Sequence, residues 1–89
     1  MVLVQFRVRV PDVERFKAAA ERFTPVIEGL GGRNHRAYSS ESDPQEVSTF
    51  SEWESHDAMM AATDEFGEGF NREAGTEGLE WETRIWHVL

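Results

Sequence analysis

Cysteine is absent from this 89-residue chain, so neither disulfides nor thiolate-held metals can support its fold. Long apolar runs are missing as well, and none approaches the ~20 residues of a membrane-spanning helix. Basic residues are scarce: nine Lys and Arg face 17 Asp and Glu, for a net charge of −8. Phosphate backbones and anionic lipid surfaces both select clustered Lys and Arg. Neither a nucleic-acid nor a membrane partner is therefore expected. The opening segment MVLVQFRVRV lacks the basic, apolar and small-residue order of a signal peptide. The chain reads as a cytoplasmic protein.

The length fits one domain over residues 1–89. A chain this short buries only roughly 60–65% of its unfolded surface. Without cross-links, support must come from close packing or from a partner chain.

What is present is patterned. Residues 2–10 alternate, with Val2, Val4, Phe6, Val8 and Val10 on one face and Leu3, Gln5, Arg7 and Arg9 on the other. Period two predicts a strand with one buried face, ended by Pro11. Asp12 suits a helix N-cap. From there Val13, Phe16, Ala20, Phe23, Ile27 and Leu30 form one helical stripe, with Pro25 as a kink and Gly29, Gly31 and Gly32 as the exit. Residues 33–40 and 46–53 predict two further strands around the turn cluster SESDP. Ser55 suits a second N-cap, and Met59, Ala62, Phe66 and Phe70 form a second helical stripe. Gly67 and Gly69 predict a break near residue 66, followed by a short helical piece. Alternation resumes over residues 79–89, with Trp81, Thr83, Ile85, His87 and Leu89 on one side.

The order βαββαβ is the split βαβ or ferredoxin-like unit, an α+β fold with a four-stranded antiparallel sheet and strands one and three central. Two helices cover one sheet face and leave the other open. The open face collects Leu3, Gln5, Arg7, Tyr38, Phe50, Glu52, Arg84, Trp86 and Val88. Aromatics mixed with opposite charges suit an interface between two sheets. A homodimer is expected.

The segment GGRNHRAYSSESDPQEVSTFSEWESHDAM resembles the antibiotic biosynthesis monooxygenase-like family. The likeness rests on Arg36, Tyr38 and Ser39 in the second strand, Asp43 and Pro44 in the turn, and Glu52, Trp53 and Glu54 at the end of the third strand. It implies a dimeric α+β barrel. It also implies a choice among cofactor-independent oxygenases of phenolic or quinol substrates, haem-degrading enzymes, isomerases and proteins without turnover. The haem-degrading branch carries a Trp and an iron-ligating His where Ala62 and Asn71 stand here, and a first-strand Asn near Gln5 or Arg7. Haem degradation does not fit those residues.

Three histidines are the titratable candidates. His56 sits on the charged side of the second helix, where exposure is expected. His35 and His87 alternate onto the helix-covered face, and His35 is the candidate catalytic base. Small residues on that face, Ala37, Ser39, Thr49 and Ser51, oppose Phe16, Phe23, Met59 and Phe66. Either the aromatics fill the space or a cleft remains for a small aromatic or polyketide-like ligand. The candidate ligand-contacting residues are Tyr38, Thr49, Ser51, Trp53 and His87. Trp53 also fits a core anchor with its N–H on a backbone carbonyl. No spacing of His with acidic residues matches a metal site, and no nucleotide motif is present. No cofactor is expected. The two functional readings are a cofactor-free monooxygenase or isomerase, and a non-catalytic binding module of the same fold.

Overall fold

A computed structural model describes residues 1–89. The elements run β1 (Val2–Arg9), α1 (Val13–Gly29), β2 (Arg33–Ser39), β3 (Glu46–Trp53), α2 (His56–Ala74) and β4 (Glu82–His87). All strand pairs are antiparallel, in the order β2-β3-β1-β4. The sequence-derived topology is the observed one.

Local chemistry sets the element ends. The Asp12 carboxylate accepts from the Arg15 amide at 3.0 Å and opens α1. The Ser55 hydroxyl accepts from the Ala58 amide at 3.1 Å and opens α2. Pro25 lies inside α1 without ending it. Arg9 donates through Nε to Asp43 Oδ2 at 2.9 Å, which ties the β2–β3 turn to β1. That contact holds the Asp43 carboxyl below the usual carboxylate range.

Two expectations are corrected. Gly67 and Gly69 do not break α2, which runs unbroken to Ala74 and ends at Gly75 in the left-handed region, φ 73°. A mid-helix Gly costs about 1 kcal/mol relative to Ala, whereas burying one Phe gains about 1.5–3 kcal/mol. The apolar stripe continues past both glycines through Phe70 and Ala74, both buried. Phe70 meets Phe16 and Phe23 edge-on, with ring centroids 5.8 and 5.5 Å apart. Packing overrides propensity. The final strand is also shorter than residues 79–89, and Trp81 lies just outside it. Its ring reaches under the helices to Phe6 and Phe16, at 6.1 and 6.3 Å.

The register puts Leu3, Gln5, Arg7, Phe50, Glu52, Arg84 and Trp86 together on the face away from the helices. Tyr38, paired with Ser48, joins them and packs edge-on against Phe50 at 5.6 Å. Leu3, Tyr38 and Trp86 are 36%, 54% and 52% exposed, so in a single chain this face lies open.

A cavity between two half-cores

The buried core divides into two clusters. One gathers Val8, Val10, Phe16, Val47 and Phe70. The other gathers Val2, Val4, Ile27, Trp53 and Met59. Phe23 and Phe66 pack against both. Along the seam β3 presents Thr49 and Ser51 where a larger residue would close the gap. A partly open cavity of about 140 Å³ remains. Its apolar walls are Phe6, Ile27, Trp53, Phe66, Phe70 and Trp81, and its polar wall is His35, Thr49, Ser51, Thr63 and Asn71, with Gly67 beside them.

A strand irregularity positions His35. Arg33 pairs with Glu52 and Arg36 with Phe50, so β2 holds one extra residue there. Asn34 takes φ 53°, a conformation Asn tolerates better than most residues. The bulge leaves Arg33 and Arg36 on the open face and turns His35 beneath α1, where it is 8% exposed.

The hydrogen bonds then select one tautomer. Thr24 Oγ1 donates its only proton to the Ala20 carbonyl at 2.8 Å. It must accept at its 2.8 Å contact with His35 Nδ1. His35 therefore carries its proton on Nδ1 and a lone pair on Nε2. Nε2 has no protein partner, yet no sealed polar side-chain atom is left unpaired, so Nε2 keeps access to free space. Burial pushes the His35 pKa below its ordinary value, with the Glu28 carboxylate partly opposing. That direction favours the neutral ring.

The other polar groups leave defined valences. Trp53 Nε1 donates to Ser51 Oγ at 2.8 Å, not to the backbone carbonyl expected from sequence. The Ser51 hydroxyl keeps its proton free for the cavity. Thr76, 1% exposed, donates to Asn71 Oδ1 at 2.6 Å. Arg15 donates to the Arg72 and Glu73 carbonyls at 2.8 and 2.9 Å, which fixes the end of α2 that carries Asn71. No cluster of three His, Asp or Glu side chains forms that could hold a metal.

Four of the six sequence-derived site candidates meet at this cavity: His35, Thr49, Ser51 and Trp53. Tyr38 stands on the opposite sheet face and His87 is exposed near the chain end, so neither reaches it. Ala37 and Ser39 are exposed along the edge strand and do not line it. Sequence reasoning missed Asn71, Thr63 and the orienting Thr24. Their positions beside the helical stripes gave no signal, because their roles depend on contacts between elements.

No protein-family model and no curated protein matches the sequence. Solved structures share the fold. A provisionally named antibiotic biosynthesis monooxygenase from Bordetella bronchiseptica superposes with TM-score 0.86 at 15% identity, covering 99% of this chain and 96% of that one. A second protein so named, from Nitrosomonas europaea, gives 0.76 at 16% identity, with 100% and 99% covered. Rv0793 from Mycobacterium tuberculosis gives 0.76 at 19% identity, with 99% and 94% covered. No helix of the chain is long and apolar enough to cross a membrane.

Proposed function

We propose that the protein binds a small, neutral, largely apolar molecule between its sheet and helices, with His35 as the general base. One observation carries this reading: His35 lines a largely apolar cavity as a neutral imidazole, held as the Nδ1–H tautomer with Nε2 unpaired. An accessible, unpaired basic nitrogen beside apolar walls is a ready acceptor for a ligand hydroxyl. Size narrows the ligand. Apolar cavities of about 150 Å³ bind benzene in other proteins, so a volume of about 140 Å³ suits a single ring.

The reaction that suits this equipment is cofactor-free oxygenation of an electron-rich phenol. His35 Nε2 takes the phenolic proton. The anion delivers electrons to dioxygen, and a carbon–oxygen bond forms on the ring. Loss of water leaves a quinone, so one oxygen atom is retained and the substrate supplies all the electrons. The protein's part is a dry site, a base and donors for the developing charge. The names borne by the Bordetella and Nitrosomonas proteins support the same class. A non-catalytic binding module is favoured by one feature: the partner that orients His35 is a threonine, not a carboxylate that would stabilise an imidazolium. Oxygen uptake with a panel of single-ring phenols and hydroquinones separates the two. Turnover that falls about 100-fold or more in His35→Gln supports the enzyme; binding without uptake in any of them supports the module.

The open sheet face is read as the contact between two copies of the chain. Arg7, Arg36 and Arg84 stand there beside Glu52 and Glu82, around Leu3, Phe50 and Trp86. A patch carrying both charges can complement itself across a two-fold axis.

A further inference from the structure

Asn71 lines the cavity with only part of its side-chain amide engaged. Its Oδ1 accepts from the Thr76 hydroxyl at 2.6 Å, and its backbone carbonyl accepts from the Thr76 amide at 3.0 Å. Both contacts close the turn that follows α2. Thr76 is almost fully buried, and its hydroxyl has no other acceptor. A flipped Asn71 amide would leave that sealed proton unpaired, so the network admits one orientation. In that orientation both N–H bonds of Nδ2 are unused. A purely structural turn closure needs only the oxygen.

One cavity is therefore lined by both His35, whose Nε2 is an unused acceptor, and Asn71, whose Nδ2 is an unused donor. We infer that Asn71 binds the ligand directly, its Nδ2 holding an oxygen atom of the ligand while His35 Nε2 receives a hydroxyl proton from it. The preferred ligand class is then a single ring with a hydroxyl and a second oxygen substituent, with a bare hydroxyarene binding more weakly. This inference rests on the reading of the cavity as a ligand site. Thr76 is the positioning residue, because it decides which face of the amide is presented.

The probe is 4-hydroxybenzaldehyde, which carries a donor and an acceptor on one ring, with toluene as a control of similar bulk that can use neither. The readout is the side-chain amide resonances of Asn71 in isotope-labelled protein, together with the dissociation constants of both probes. The aldehyde should shift the Asn71 amide protons saturably, and toluene should bind without doing so. Asn71→Asp keeps the acceptor for Thr76 and loses the N–H donors. Aldehyde affinity should fall about fivefold or more, as for loss of one net hydrogen bond, with toluene affinity held within about twofold. Should Asn71→Asp fail to fold, Thr76→Val, which frees the amide to turn, should weaken the aldehyde alone in the same way. Aldehyde binding that shifts His35 but leaves the Asn71 amide unmoved overturns this inference and spares the cavity reading. Failure of both probes to bind overturns both.

Discussion

Thr24 and His35 share a 2.8 Å hydrogen bond across the gap between α1 and the β2 bulge, and its direction is set by a third group, the Ala20 carbonyl. A helix hydroxyl that returns its proton to the preceding turn becomes an obligate acceptor. His35 thus holds one tautomer without any charged partner. Thr24→Val leaves the buried Nδ1–H unpaired and should cost about 1–3 kcal/mol, measured by urea denaturation. Thr24→Ser keeps the hydroxyl and should recover most of it.

The lowered His35 pKa fixes a pH dependence. The unfolded chain binds a proton at this residue near the ordinary value of about 6.5, while the folded protein resists it because of burial. The unfolded state therefore holds more protons between the two values, and unfolding free energy rises with pH across that window. Stability should decline as pH falls below about 6.5. His35→Gln should flatten that part of the curve, seen by comparing chemical denaturation of both proteins at several pH values.

Two neighbours on β3 should respond in opposite ways. Thr49→Ile adds volume toward a cavity that has room for it, so melting should change by less than the equivalent of about 0.5 kcal/mol. A filled core would lose about 1–3 kcal/mol to the same change. Ser51→Ala removes the acceptor of the buried Trp53 indole N–H and should cost about 1–3 kcal/mol. Thermal melts of the two variants side by side test whether the seam is hollow.

Of the glycines, Gly32 is the one packed tightest, against two residues of the cavity wall. A Cβ there would lie 2.6 Å from Ile27 Cγ2 and 2.9 Å from Trp53 Cζ2. Gly32→Ala must push both cavity residues and should destabilise by about 1–3 kcal/mol. Gly29→Ala, where a Cβ meets nothing within 4 Å, should be close to neutral in the same melts.

Self-association through the open face should appear in sedimentation equilibrium at low micromolar concentration as a species of twice 10.2 kDa. Such an interface should bury well over ~1,000 Å² in total. Trp86→Glu should shift the protein to monomer, whereas Glu21→Lys, on the outer side of α1, should not. A 10.2 kDa species alone at every concentration would contradict the proposal.

The fold was legible because its signals are local. Alternation over residues 2–10, the caps Asp12 and Ser55, and the Asp43-Pro44 turn each act within a few residues, and together they order the elements. The α2 reading failed where local and distant terms conflict, since glycine propensity says nothing of Phe70 packing on Phe16 and Phe23. The placement of His35 beneath the helices could be reached from alternation. Its tautomer could not, because that depends on a bulge at Asn34 and on a threonine contributed by another element. Tyr38 shares a strand with His35 and still misses the cavity. Three residues apart, the two take opposite faces by alternation alone, and Tyr38 stays on the open face with Phe50.

The central claim is a cavity in which His35 is a neutral base with Nε2 available to a ligand. A long-range proton–nitrogen NMR spectrum of the histidine rings near pH 7.5, with and without added phenol, tests it most directly. His56 and His87 are exposed and serve as internal controls. His35 should appear as the Nδ1–H tautomer, and phenol should move its Nε2 resonance along a saturable one-site curve while the other two histidines stay fixed. An Nε2–H tautomer, or a His35 ring that phenol leaves unmoved, would contradict the account.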